Sequence, residues 1–178
     1  MEIKYMIILI KALNYAAISH QNQRRNGSKI PYINHPIKVC QLLSKIGNIQ
    51  NEIILCSALL HDIIEDTDIT VTQLENTFGC EIANLVLEVS DDKSLPKKER
   101  KQLQILHAPL LSDNARVLKL ADKIANMQDI LHNPPDWSVE RKIEYFDWAK
   151  RVFDAGLSGI NSQLEVLFCD VYYQKHFL

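Results

Sequence analysis

The sequence predicts an all-α fold, a single compact helical bundle spanning residues 1–178. Three observations carry this. Apolar residues recur at helical spacing through long segments, and only 5 Gly and 6 Pro punctuate the chain. No segment shows the alternation of a half-buried strand. No internal repeat, low-complexity segment or long linker divides the chain, and 47% hydrophobic with 24% charged residues is a globular composition.

The elements follow in order. Ile3, Met6, Ile7, Ile10, Leu13 and Ala17 fall near a helical period and predict a first helix. The polar stretch 21–29, with Arg24, Arg25 and Gly27, reads as a loop. Residues 31–36, Pro-Tyr-Ile-Asn-His-Pro, read as extended or turning, because residues before prolines avoid the α region. Pro36 then suits the first turn of a helix running to about Ile46. Residues 51–64 predict a buried helix, since Ile53, Ile54, Leu55, Ala58, Leu59 and Leu60 leave it almost no polar face. Thr70 or Thr72 starts a short helix that ends at Gly79, and residues 81–90 form another. Pro96 opens a basic helix over 97–107. Residues 112–131 form the next, with Val117, Leu118, Leu120, Ala121 and Ile124 as its apolar face, until Asn133-Pro-Pro135 breaks it. Ser138 caps a helix to about Leu157, with Arg141 rather than an acid completing the fourth position, and Gly159 separates it from a final helix.

Net charge is −2, from 20 basic and 22 acidic side chains. A dedicated nucleic-acid binder would show a basic excess, so no nucleic-acid partner is expected. A small anionic ligand remains compatible, because local charge differs from the sum. Tyr5 to Ile10 is too short for an export signal and Lys11 interrupts it, and no run approaches the ~20 apolar residues of a membrane span. No membrane partner is expected. Cys40, Cys56, Cys80 and Cys169 form no C-x-x-C pair, and Cys40 and Cys56 lie in apolar segments. Buried reduced thiols and a cytoplasmic location are the expectation.

The chemistry concentrates in His35, His61-Asp62 and Asp122. Two imidazoles and two carboxylates make a first shell for one divalent ion, but 26 residues separate the histidines and 60 separate the aspartates, so only a fold joins them. Otherwise they are ordinary polar residues on helices. Their context favours the site. A carboxylate at the edge of Cys-Ser-Ala-Leu-Leu or Val-Leu-Lys-Leu-Ala is costly to desolvate unless paired or bound. Glu65 lies one turn from His61, and Asn126 one turn from Asp122, so each helix carries a second polar group for handling water. His20, His107, His132 and His176 lack such company and read as structural or solvated.

Six segments, in order along the chain, carry a family resemblance. They are Arg24-Arg25, the 31–36 segment, Ala-Leu-Leu-His-Asp-Ile-Ile-Glu-Asp-Thr at 58–67, Ser-Asp-Asp-Lys-Ser-Leu-Pro-Lys-Lys-Glu-Arg at 90–100, Lys-Leu-Ala-Asp-Lys-Ile-Ala-Asn at 119–126, and Glu-Tyr-Phe-Asp-Trp-Ala at 144–149. Together they resemble the HD-domain alarmone hydrolases, related to the hydrolase half of Rel/Spo enzymes, and most closely the single-domain, metazoan-type small alarmone hydrolases. The resemblance implies an HD-domain helical bundle with a metal site between helices. It also implies an Mn²⁺-dependent enzyme that removes the 3′-pyrophosphate of ppGpp or pppGpp, giving GDP or GTP and pyrophosphate. By matching position it makes His35, His61, Asp62 and Asp122 the metal ligands and places Glu65 and Asp66 beside the reactive water. Asn126 falls near metal and substrate. Arg24, Arg25, Tyr32, Lys97 and Tyr145 fall in segments that resemble the nucleotide and phosphate pocket.

The residue types agree with this. A nitrogen and oxygen donor set suits Mn²⁺ rather than a thiolate-selected metal. Arg24, Arg25 and the basic run 97–101 supply cations for a polyanion. Departures are Ser90 where Thr is usual, Gln128 where Arg is common, and a 24–31 loop unlike that of some relatives. Gln128, six residues beyond Asp122, is expected to point off the metal face. The chain leaves no room for a synthetase segment, so hydrolysis and not synthesis is expected. Two other readings stay open: a phosphohydrolase for another nucleotide, such as an NADPH 2′-phosphatase, and a catalytically silent binding module. Oligomeric state is not legible, with a monomer as the default.

Overall fold

Helix α3 (Glu52–Leu60) is buried along seven consecutive residues, Ile54 to Leu60, and the other helices assemble around it and around α8 (Asp113–His132). The computed structural model describes residues 2–25 and 28–178, with side chains from Tyr5 onward. Gly27 of the predicted loop and the Ile3 side chain of the predicted first helix lie outside that description. Among the described residues the order is α1 (Glu2–Ser19), α2 (Asn34–Gln41), α3, α4 (Ile63–Asp66), α5 (Val71–Phe78), α6 (Cys80–Val89), α7 (Lys97–His107), α8, α9 (Val139–Val152) and α10 (Ser162–Tyr173). The only pairing of extended backbone described is an isolated antiparallel bridge between Arg24 and Pro31. The all-α reading therefore stands. Among the described residues, no helix is long and apolar enough to cross a membrane.

Two apolar clusters fill the interior. One gathers α2, α6, α8, α9 and α10 around Leu118, Leu120, Ile124 and Met127 of α8, with Phe153 and Phe168 stacked 4.4 Å apart. The other packs α1, α5 and α6 on the far side of α3, through Ala12, Ala16, Leu60, Leu74 and Val86. A helix that serves two clusters is apolar all round, and the run Ile53 to Leu60 shows this directly. Caps set the ends. The Asn51 side chain accepts from the Ile53 and Ile54 amides, and Thr70 forms a reciprocal capping box with Gln73. Ser112, Ser138 and Asn161 accept from the third amide of α8, α9 and α10.

Three segments differ from expectation. The helix predicted over 51–64 stops at Leu60, turns at His61-Asp62 and restarts as α4. Asp62, with φ −94° and ψ −4°, leaves the helical well for the bridge region, which interrupts the hydrogen-bond ladder. The segment 31–36, predicted extended or turning, turns at Tyr32-Ile33 but is already helical at His35, since α2 starts at Asn34. Pro36 thus falls in the first turn, where its missing N–H removes no bond. Two predicted helices also end in a wider turn: α2 continues as a π-helical turn, Leu42–Ile46, and α9 as another, Phe153–Leu157.

The second of these turns needs Gly156. A Cβ there would lie 2.3 Å from the carbonyl carbon of Ala108 and 2.4 Å from the nitrogen of Pro109, both backbone. The Gly156 carbonyl accepts from Arg116 Nε of α8 at 2.5 Å. Gly156→Ala should therefore destabilise by about 1–3 kcal/mol through overpacking. In a chain of this size that lowers Tm by about 2–4 °C per kcal/mol, read by calorimetry.

Candidate metal centre and cationic cleft

The turn between α3 and α4 aims two adjacent side chains at one point. His61 donates from Nδ1 to the Ala58 carbonyl at 2.8 Å, which turns Nε2 inward. That Nε2 is buried and has no hydrogen-bond partner. It lies 3.3 Å from Asp62 Oδ1 and 3.8 Å from Asp122 Oδ1. His35, from α2, brings its Nε2 to 3.1 Å from Asp122 Oδ1 and 3.7 Å from Asp62 Oδ2. Donor atoms of His35, His61 and Asp62 all lie within 4.8 Å of one another, and Asp122 reaches in from α8. Three elements thus bring all four residues of the candidate first shell together. An orphaned, buried imidazole nitrogen facing two carboxylates and a second imidazole is the donor set of a divalent cation with nitrogen and oxygen preference.

Electrostatics agree. Burial raises the carboxyls of Asp62 and Asp122, yet both are held below the usual range, Asp62 by His61 and His35, Asp122 by Lys123 and His35. Burial lowers His61, but Asp62 and Asp122 outweigh it and raise it to about 9. Cation binding must then displace a proton from this ring. His35, whose burial dominates with the Arg25 charge adding to it, is pushed down.

Glu65, on α4, faces the same cavity. Burial, then the charge of Asp62, pushes its carboxyl up to about 7. Its Oε1 accepts from the Asp91 amide at 2.8 Å, and Oε2 lies 3.5 Å from Lys93 Nζ. Asp66 sits one step outward, with Lys93 Nζ at 2.8 Å from Oδ1 and the Tyr32 hydroxyl at 2.8 Å from Oδ2. Asn126 donates from Nδ2 to Asp122 Oδ1 at 2.6 Å and accepts from Arg25 Nη2 at 2.6 Å. Arg25 continues to Asp129, which also pairs with Lys38 at 2.9 Å. Arg24 is exposed at the rim, its guanidinium donating to the carbonyls of Gln21 and Gln23. Tyr32 is taken up by carboxylates, its hydroxyl lying 2.7 Å from Asp62 Oδ2.

Cations share the cleft with these acids. A cavity of about 630 Å³ is lined by the four candidate ligands and Glu65 and by Lys97, Lys101, Lys119, Lys123 and Arg141, with Lys123 Nζ 3.2 Å from Asp122 Oδ2. A neighbouring cavity of about 300 Å³ shares Arg25, His35, Asn126, Trp137 and Tyr145 with it. Aromatic rings hold the cations: Trp148 lies 4.7 Å from Lys101 Nζ and 4.6 Å from Lys123 Nζ, and Trp137 lies 4.2 Å from the Arg141 guanidinium. Burial and neighbouring cations depress Lys97, Lys101 and Lys119. Such a cluster favours an incoming polyanion, which relieves the repulsion.

Sequence reasoning missed Lys93, Asp129, Lys123, Trp137 and Trp148. Asp129 had a signal, since it lies seven residues from Asp122 and three from Asn126, on one helix face. Lys93, Lys123 and Trp148 lie in the segments 90–100, 119–126 and 144–149 that carry the resemblance, while Trp137 had no signal. Gln128 lines neither cavity. His20 is buried and bonded to Gln23, while His107, His132 and His176 are exposed. All four cysteines are free, with Cys56 buried and Cys40 half-buried.

Helices joined at a His-Asp turn, with a further His and a distant Asp completing the set, define a class. Residues 12–147 match the HD domain model, and the chain belongs to the HD-domain family. It is similar to the guanosine-3′,5′-bis(diphosphate) 3′-pyrophosphohydrolase MESH1 of Xenopus tropicalis, 48% identical over 160 residues and 89% of each chain. The human MESH1 is 45% identical over 169 residues, 94% of each chain. A solved structure described as a metazoan ortholog of SpoT that hydrolyzes ppGpp superposes with a TM-score of 0.91 at 43% identity, covering 96% of this chain and 97% of that one.

The raised Glu65 carboxyl has a stability consequence. The folded state holds a proton between about pH 4.5 and 7 that the unfolded state has lost, so stability contributed by this group falls as pH rises through that window. Glu65→Gln should therefore stabilise the metal-free protein at pH 8, by about 1–3 kcal/mol after allowing for relaxation, and change it little at pH 4. Denaturant titrations at the two pH values read this directly.

Proposed function

We propose that this protein is an Mn²⁺-dependent guanosine-3′,5′-bis(diphosphate) 3′-pyrophosphohydrolase, converting ppGpp or pppGpp and water to GDP or GTP and pyrophosphate. The observation that carries the reading is the meeting, in one cleft, of a His₂Asp₂ donor set with its adjacent acid and a cluster of five cations. The relatives named for this reaction match nearly the whole chain, which supports it further.

In this reading His35, His61, Asp62 and Asp122 hold the metal, and their mixed nitrogen and carboxylate donors suit Mn²⁺. A divalent cation there supplies Lewis acidity, acidifying water and screening phosphate charge. Glu65 takes the proton of the attacking water, and its carboxyl near neutrality matches that task. The water oxygen bonds to the phosphorus on the ribose 3′-oxygen, the bond from that phosphorus to the remaining phosphate stays intact, and the 3′-oxygen leaves and is protonated. Pyrophosphate is thus released whole. Asp66 steadies Lys93 beside the water site, and Asn126 orients Asp122. Lys97 and Tyr145 line the substrate cavity, with Arg25 between the two cavities and Arg24 contributing at the rim.

The deciding experiment is a substrate panel of ppGpp, pppGpp and NADPH with Mn²⁺-loaded protein, with products resolved by phosphorus NMR. Intact pyrophosphate from ppGpp is expected, while early orthophosphate, or turnover of NADPH alone, contradicts the reading. Asp62→Ala should lose both bound metal and turnover, and a chelator should abolish activity in the parent protein. Full turnover after verified metal removal sinks the metal chemistry. Glu65→Gln should lower kcat by about 10²–10⁴ with metal content retained. Arg25→Ala should instead raise KM more than it lowers kcat, and Arg24→Ala should raise KM by less than Arg25→Ala does.

A further inference from the structure

We propose that Tyr32 is a positioning residue for the metal centre, holding Asp62 in place through its hydroxyl, and that this hydroxyl makes no substrate contact. The inference rests on the metal-centre reading above. Asp62 is the residue on which α3 ends and α4 begins, yet its carboxylate makes no capping bond to the α4 amides. Among the described residues, the Tyr32 hydroxyl, at 2.7 Å from Oδ2, is its hydrogen-bond donor, and the imidazoles of the candidate centre stand farther off, at 3.3 and 3.7 Å. With Oδ2 tied, Oδ1 is left facing His61 Nε2 at 3.3 Å.

The backbone makes Tyr32 a firm anchor. Its amide donates to the Gln23 carbonyl at 3.1 Å, and its carbonyl accepts from the His35 amide at 2.9 Å. Tyr32 and the candidate ligand His35 therefore share one turn. The ring lies 4.9 Å from His20 and edge-on to His35 at 6.2 Å, with the Arg25 guanidinium 5.3 Å from its centre. His20 is itself buried and tied to Gln23, whose amide donates to the Asp66 carbonyl. A phenol has one proton, and both groups that its oxygen meets are carboxylates, Asp62 at 2.7 Å and Asp66 at 2.8 Å. Nothing on the hydroxyl is left to donate to a phosphate. Outer partners of this kind orient metal ligands, and their removal weakens metal affinity by about 10–100-fold.

Tyr32→Phe keeps the ring and its packing and removes only the hydroxyl. Titration calorimetry of metal-stripped protein with Mn²⁺, in the absence of substrate, should show affinity about 10–100-fold weaker than the parent. KM for ppGpp at saturating Mn²⁺ should stay within about twofold of the parent, as expected when substrate binding itself is untouched. Unchanged Mn²⁺ affinity overturns the proposal, and a raised KM with normal Mn²⁺ affinity assigns Tyr32 to the substrate instead. A parent protein that binds no Mn²⁺ sinks the metal-centre reading itself, a result distinct from equal binding by parent and variant. Asp66→Asn supplies an arm that leaves Tyr32 intact. It removes the competing carboxylate, so Mn²⁺ affinity should stay within about threefold, and a tenfold loss would mean that Asp66 rather than Tyr32 supports the ion. Thermal unfolding of each metal-free variant reports whether the fold is kept.

Discussion

Two carboxylates, Asp62 and Asp122, lie in the interior cleft with little access to water, and the rest of the site is arranged around satisfying them. Desolvation pushes both towards the neutral acid, and each is nonetheless held ionised by cationic or hydrogen-bonding neighbours. Lys123 meets one oxygen of Asp122 at 3.2 Å, and Asn126 donates to the other. Tyr32 meets Asp62, and two imidazoles stand between the pair. A buried anion is tolerated only with such company. The same arrangement leaves an imidazole nitrogen of His61 without a partner, which is what a cation-binding pocket requires.

The cleft is asymmetric, and that asymmetry is its chemistry. Asp62 and Glu65 sit where α3 meets α4, while the lysines and Arg141 of the cleft lie on α7, α8 and α9, with Asp122 among them on α8. Net charge of −2 conceals this clustering, because the two sets nearly cancel across the whole chain. A polyanion entering this cleft meets cations beside the candidate metal centre. Trp148 and Trp137 offer ring faces to Lys101, Lys123 and Arg141, and Lys123 also reaches Asp122 Oδ2 at 3.2 Å, linking the cations to the candidate metal centre.

Regular helix geometry builds most of this. On α8, Asp122, Asn126 and Asp129 follow at four and three residues, so one face carries the link from the candidate metal centre to Arg25 and Lys38. Irregular geometry supplies the remainder. Only by leaving the helix at Asp62 do adjacent residues His61 and Asp62 converge, and only a glycine at 156 allows α9 to close against Ala108-Pro109 and support α8 through Arg116.

Local sequence by itself determined the helical class, most helix boundaries to within a few residues, and the cap at Ser138, because period, capping chemistry and proline act within a few residues. It also singled out His35, His61, Asp62 and Asp122, through carboxylates placed against apolar runs and through segment resemblance. Tertiary structure alone decided that these four meet. It also decided that Tyr32 faces Asp62 and Asp66, that Arg25 rather than Arg24 enters the cleft, and that Trp148 stands between two lysines. The break at His61-Asp62 belongs there too, since the apolar run through Ile63 and Ile64 favours a continuous helix. Contacts between residues 30 to 100 positions apart depend on how helices pack in space, and no local period encodes them.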